Sequence, residues 1–357
     1  MNEKNFANAI LEATYQKMTE DDSVFIIGLG VPDPKGIFGT TLGLFEKFGS
    51  KRVFDMPISE NALTGICIGA AINGLRPIIT HQRADFFFLA LDQLINNASK
   101  WHYMFANQMN VPLVIRLMVG HGWGQGPQHS QSIHGLINHI PGIKIVMPSN
   151  PYDAKGLLIA SIEDNNPVVF IEHRWLHNMI GEVPDKKYSI PIGKGKIVKE
   201  GNDITIISFS NMTVLAKEAA EILEKENISA EILDLRTIKP LDEELIIESV
   251  KKTKRVIILD PDWKSSSVAA EIMAIIIENT SIELIKPPIR ITYPDRFVPT
   301  AWTLSNFFYP TALQVVIKTL ELMDKKTHFI KEIQKNLEKK VLENPLDVPD
   351  KSFKGPF

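Results

Sequence analysis

The chain has 357 residues, with 39 basic and 42 acidic side chains, a net charge of −3 and 44% hydrophobic residues. A length of this order predicts two or three domains, at about 100–200 residues each, and the apolar content excludes a largely disordered chain. Near-neutral charge excludes a general nucleic-acid binder, which needs a basic surface to neutralise phosphates. The lone cysteine, Cys67, rules out an intramolecular disulfide and a Cys-rich zinc site, which suits a reducing cytoplasm. The segment from Met1 to Met18 is polar and charged, and no later run approaches the roughly 18 apolar residues of a membrane span, so the expectation is a cytoplasmic protein with no membrane partner.

In chain order, short runs apolar on both faces predict strands at Val24–Leu29, Pro77–Thr80, Val111–Val119, Ile143–Met147 and Val168–Ile171. Continuous rather than alternating hydrophobicity is what a parallel sheet covered by helices requires. Between them, Asn61–Asn73 reads as a small-residue helix after a candidate N-cap at Ser59. Phe88, Leu91, Leu94, Ile95, Ala98 and Trp101 repeat at helical spacing from Asp85 onward. From His173 to Asp203 the pattern dissolves into Gly, Pro, Lys and Tyr, which predicts a linker with one short strand. Alternation restarts with strands at Ile204–Phe209, Ala230–Leu235 and Arg255–Leu259 and helices at Thr213–Lys225, Asp242–Lys252 and Ser266–Asn279. One more apolar helix follows Tyr309, then dense charge over Lys325–Lys340 and a Pro-punctuated end. The prediction is therefore α/β, with two wound domains built on largely parallel sheets over 1–190 and 191–322, and a charged helix and extended tail over 323–357.

Several chemical motifs fail. Gly28-Leu-Gly30 ends the first strand, but Pro32 and Pro34 follow where a phosphate-cradling helix would begin, which removes N–H donors and disfavours a dinucleotide. His173 and His177 stand four apart without the HExxH pattern of a zinc helix, and neither a GxSxG elbow nor a Walker A sequence occurs. More informative is Asp55-Met-Pro-Ile-Ser-Glu60, where a turn delivers a carboxylate to the start of a helix. In isolation that residue reads as a first-turn acid complementing the helix dipole. The loop Gly120-His-Gly-Trp-Gly-Gln-Gly-Pro-Gln-His-Ser-Gln131 changes the balance, because it follows a buried strand, where open α/β sheets place their binding crevice. Its glycines permit close approach to a ligand, and two histidines with a tryptophan exceed what a connector needs.

At this point the chain resembles the beta subunits of thiamine-diphosphate-dependent 2-oxo acid dehydrogenases, within the transketolase-like superfamily. The resemblance runs from about Val24 to Tyr309 and rests on Pro57-Ile-Ser-Glu60, Leu91-Asp-Gln93 with Asn96, Gln128-His-Ser-Gln131, Asp153-Ala-Lys-Gly156, Asp164-Asn-Asn-Pro-Val168, Ile192-Gly-Lys194 and Asp234-Leu-Arg-Thr237 with Pro240. In that family a separate alpha chain holds the diphosphate and magnesium through a GDG motif, which this sequence lacks. The resemblance thus implies half an active site, completed by an alpha subunit in an α2β2 assembly. It implies that Glu60 hydrogen-bonds the aminopyrimidine of thiamine diphosphate, that Phe86 stacks on it, and that His129 acts on the bound 2-oxo acid substrate and in acyl transfer to a lipoyl-bearing acyltransferase. For Phe86 plain core packing is an equal reading, and His129 could be satisfied by its own loop. Some relatives bind structural potassium through backbone oxygens, and the matching positions are Leu113, Ser161, Ile162, Asp164 and Asn166.

Two departures bear on substrate. Leu29 stands where the family commonly has an acid, and His81-Gln-Arg83 precedes Asp85 where the family has no such residues. His81, Arg83, His121 and Trp123 would flank the same crevice and make a cationic, aromatic wall suited to a carboxylate, phosphate or polyhydroxylated donor. Surface or intersubunit salt-bridge roles are an equal reading. Two alternatives stay open beside the dehydrogenase: a split transketolase-like enzyme passing a two-carbon unit to an aldehyde or sugar, and a non-catalytic scaffold subunit.

Overall fold

The structure is a computed structural model and describes residues 2–122, 124–279, 281–305, 307–325 and 334–335. Its strands are β1 (Asn2–Asn5), β2 (Val24–Ile27), β3 (Val53–Phe54), β4 (Arg76–His81), β5 (Val114–Val119), β6 (Lys144–Val146), β7 (Val168–His173), β8 (Ile180–Val183), β9 (Lys196–Lys199), β10 (Ile204–Ser208), β11 (Ala230–Asp234), β12 (Thr237–Lys239), β13 (Val256–Trp263) and β14 (Ile289–Tyr293). Among the described residues they form a seven-stranded sheet ordered β12-β6-β7-β5-β4-β2-β3, a five-stranded sheet ordered β14-β13-β10-β11-β9 and the pair β1-β8. Central pairings are parallel, as between β4 and β5 and between β5 and β7, and the edges β12 and β9 run antiparallel. The α/β expectation holds for a direct reason. Every residue of β2, β5 and β7 is buried, so helices must cover both faces.

Helix Phe6–Glu20, unmarked by the charge-rich opening of the sequence, packs its buried Phe6, Ile10 and Ala13 beside the helix Pro151–Glu163 on one face of the larger sheet. Helix Glu60–Ile72 covers the other face through Cys67, Ile68 and Ala71. Ser59 is the N-cap residue of that helix, as expected, although its side chain makes no capping bond. The expected regular helix after Asp85 is also corrected: the segment divides into Ala84–Phe87, a 3₁₀ turn Phe88–Ala90, a π-helical stretch Gln93–Ala98 and Trp101–Met104. Apolar spacing is blind to such changes of pitch, and π segments tend to occur near functional sites. The expected linker carries two strands, β8 and β9, rather than one. The tail over 336–357 and Trp123 lie outside the described residues.

The two sheets are joined more closely than a linker suggests. Strand β12, from the second half of the chain, crosses over to pair with β6 on the edge of the first sheet. One continuous apolar cluster runs from Phe25, Ile27 and Leu117 to Phe209, Leu235 and Ile258. Three of the motifs that carry the resemblance converge at this joint. Arg236 lies 3.2 Å from Asp153 and donates to the carbonyls of Lys194 and Gly195. Buried His134 reaches Asp260 at 2.7 Å on β13, and Asp262 accepts from the Gly135 amide.

Candidate active site

The candidate residues gather at the carboxyl ends of β2 to β5, where doubly wound sheets bind ligands. After β2, Gly28 passes so close to β4 that a Cβ would meet the Thr80 carbonyl at 2.4 Å, which accounts for the glycine without a phosphate. No helix begins at Val31; the chain turns until Leu44. After β3, Asp55 accepts from the Gly30 amide at 2.9 Å and ties the two loops together. The Pro57-Ile-Ser turn then places Glu60 as the first residue of its helix, 6% exposed. Among the described residues no hydrogen bond reaches its carboxylate. Ile58, two residues earlier, is 80% exposed.

Phe86 and His129 arrive from different loops and meet. Their rings lie 5.2 Å apart at 84°, edge to face. Phe86 is half-buried, whereas its neighbour Phe87 is fully buried. His129 holds φ at 72°, a left-handed conformation uncommon for residues other than glycine. Gln131 anchors the loop by donating to Asp85 at 2.6 Å. The motif glutamine therefore fixes the relation between the histidine loop and the phenylalanine segment.

The expected cationic wall is partly corrected. His81 is buried against Phe87, 5.2 Å between rings, and burial lowers its pKa to about 4, so it is neutral at physiological pH. Arg83 is 2% exposed, donates to the Gly120 carbonyl at 3.3 Å and lies over the Phe38 ring at 5.5 Å. Burial lowers its pKa to about 10, which leaves it charged. His121 is buried; its ring meets the Gln125 carbonyl and its own carbonyl accepts from Trp175 at 2.8 Å. Two residues that the sequence reading missed complete this wall. Arg174 lies 3.8 Å over the same Phe38 ring, and Phe38 itself comes from the loop after β2. The available signal was position: Arg174 follows directly on the buried strand β7.

His173 and His177 serve the interior. The His173 Nδ1 accepts from the Trp175 amide, and the His177 Nε2 lies 3.3 Å from buried Glu172. The five carbonyl positions expected for potassium are partly engaged: Arg76 donates to the carbonyls of Ile162 and Asp164 at 2.9 and 3.0 Å, and the Leu113 carbonyl accepts from Val168. A guanidinium already supplies positive charge there, so these residues fit an added cation poorly. Among the described residues no cluster of three or more His, Cys, Asp or Glu could hold a metal, and no helix is long and apolar enough to cross a membrane. A cleft of about 950 Å³ opens between the two sheets, lined by Phe88, Ser132, Lys239, Trp263 and Ser267 among others.

Comparison with known proteins places this architecture. Residues 2–178 match the family Transketolase, pyrimidine binding domain, and residues 193–315 match Transketolase, C-terminal domain. A solved structure titled split gene transketolase, inactive beta4 tetramer, shares the fold at TM-score 0.73 and 23% identity, covering 90% of this chain and 98% of that one. Fold and crevice together define a transketolase-like protein. The acetoin:2,6-dichlorophenolindophenol oxidoreductase subunit beta of Bacillus subtilis is 42% identical over 89% of this chain and 97% of its own length. The 2-oxoisovalerate dehydrogenase subunit beta of the same organism is 43% identical, covering 86% and 95%. The pyruvate dehydrogenase E1 component subunit beta of Rickettsia bellii is 39% identical, covering 86% and 95%. The chain belongs to the family of thiamine-diphosphate-dependent dehydrogenase beta subunits within the transketolase-like superfamily.

Proposed function

We propose that this chain is the beta subunit of an α2β2 enzyme that decarboxylates a 2-oxo acid and passes the acyl group to a lipoyl acceptor. The observation that carries the reading is the convergence of three residues from three loops: Glu60, buried with its carboxylate uncommitted, and Phe86 in edge-to-face contact with His129. These residues fit the pyrimidine half of thiamine diphosphate. When bound, the cofactor supplies the carbanion-stabilising centre on which the substrate carboxylate is lost. Glu60 would hold a proton at a pyrimidine ring nitrogen, Phe86 would pack on the ring face, and His129 would donate to the substrate oxygen as negative charge develops there. Magnesium and the diphosphate would be held by the alpha subunit, whose place is suggested by Ile58, Leu89 at 62% and Tyr103 at 87% exposure. We assign residues 1–190 to the pyrimidine-binding unit and 191–322 to the second, and place the enzyme in the cytoplasm. The scaffold reading is disfavoured, because a scaffold needs neither Glu60 nor His129.

The test is co-expression with a candidate alpha chain and an assay with thiamine diphosphate, magnesium and an artificial electron acceptor over a panel of 2-oxo acids. Acceptor reduction with release of carbon dioxide supports the proposal. Glu60→Gln should lower that rate about 100-fold or more. Full activity of this variant sinks the role assigned to Glu60.

A further inference from the structure

Two cations lie over the Phe38 ring. The Arg83 guanidinium lies 5.5 Å from the ring centroid and that of Arg174 lies 3.8 Å from it. Both arginines are almost fully buried, at 2% and 4% exposure. The Arg83 Nη2 is buried without a hydrogen-bond partner, and among the described residues no carboxylate pairs with this guanidinium. Asp85 is the acid whose charge bears on it, and Asp85 is engaged by Gln131. The charges of Arg83 and Arg174 repel one another, since the field of Arg83 disfavours the charged form of Arg174. Nearby, the His81 Nε2 and the His173 Nε2 are also buried without partners. Phe38 adopts φ of 49°, a strained conformation for a bulky side chain.

A buried charged donor left unpaired, as the Arg83 Nη2 is, is costly, and a protein retains it where something else supplies the acceptor. The place is not arbitrary. Phe38 comes from the loop after β2, Arg83 from the loop after β4, Gly120 begins the loop after β5, and Arg174 follows β7. These strands are neighbours in the sheet, and β2 and β4 send the chain onward in opposite directions, which makes their carboxyl ends a switch-point crevice. Arg83 precedes Phe86 by three residues, and Gly120 opens the loop that carries His129.

We propose that Arg83, with Arg174 beside it, binds an oxyanion on the substrate remote from the reacting carbonyl, so that the enzyme selects 2-oxo acids or ketols bearing a second negative group, a carboxylate or a phosphate. The planar guanidinium offers paired donors matched to either group. The Phe38 ring lies within cation–π reach of both guanidinium groups. The inference rests on the thiamine-diphosphate reading of the same crevice.

The test uses the assembled α2β2 enzyme, native and as Arg83→Met and Arg83→Lys. Inorganic phosphate is titrated by thermal shift and as an inhibitor, and kcat/KM is compared for pyruvate, 2-oxoglutarate and a ketose phosphate. The expected results are stabilisation and competitive inhibition by phosphate, and a preference for one of the doubly anionic substrates over pyruvate. That preference should fall roughly 30-fold or more in Arg83→Met and recover in part in Arg83→Lys, since a buried charge-assisted hydrogen bond is lost and then restored. A preference for 2-oxoglutarate identifies the carboxylate, and a preference for the ketose phosphate identifies the phosphate. Turnover of pyruvate alone, unaffected by phosphate and with the same substrate ratio in Arg83→Met, overturns the anion site and leaves the cofactor reading intact. Phosphate stabilisation that Arg83→Met removes, without turnover of any substrate, keeps the anion site and overturns the cofactor reading.

Discussion

Residues of one chemical type do different work here according to what their loops bring against them. His129 meets Phe86 in a half-open crevice, whereas His81 is sealed against Phe87 and carries a pKa lowered to about 4 by burial. A histidine whose folded-state pKa is depressed contributes stability that is present above pH 6.5, its ordinary value, and is lost as pH falls toward 4. His81→Phe should therefore flatten the loss of Tm between pH 7 and pH 4.5; native and variant chains with parallel Tm profiles would refute a buried neutral imidazole. His129→Ala should leave Tm almost unchanged and lower kcat about 100-fold, a pattern read by steady-state kinetics beside calorimetry. Glu60 and His129 could be singled out along the chain because each sits in a short motif, Pro57-Ile-Ser-Glu60 and Gln128-His-Ser-Gln131. Arg174 and Phe38 were not, because nothing along the chain says that two segments more than a hundred residues apart will close on one ring.

Elements built on buried polar groups carry the second set of consequences. Strands β5 and β7 are cross-linked by Arg116, which lies 2.6 Å from Glu172 with both side chains fully buried. Burial opposes the charged form of Glu172, and the adjoining Arg116 overcomes it and holds the carboxyl below its ordinary range. Glu172→Gln leaves that guanidinium without its counter-charge and should cost about 3–5 kcal/mol in denaturant unfolding. The joint at β11 behaves oppositely. Burial, and then the charge of Asp153, push the Asp234 pKa up to about 7. A raised folded-state value contributes stability that is complete below pH 3.8 and is lost as pH rises through 7. Asp234→Asn should accordingly gain in Tm relative to the native chain between pH 5 and pH 8; no change in the difference across that window would show that Asp234 is ionised throughout. Element types along the first sheet were legible from their double-sided hydrophobicity. The broken helix after Asp85 was not, because α, 3₁₀ and π turns bury nearly the same apolar positions.

At the scale of the molecule, two main sheets are tied together by an edge strand of the first that comes from the second half of the chain, and by one apolar cluster. Such continuity predicts one cooperative thermal transition for the isolated chain; two separated calorimetric peaks would show that the sheets unfold independently. On the proposal that this chain supplies the pyrimidine side alone, the isolated chain should bind thiamine diphosphate weakly, and tight magnesium-dependent binding measured by calorimetry would contradict a divided site. Sequence by itself determined the α/β class, the largely parallel character of the sheets and the short motifs, because burial on both faces and motif spacing are local properties of the chain. Tertiary structure decided that β12 crosses to the first sheet, that three motifs form a joint rather than a reaction site, and that Arg83 and Arg174 face one aromatic ring. Those outcomes depend on contacts between distant segments, whose partners are chosen by packing and charge in three dimensions.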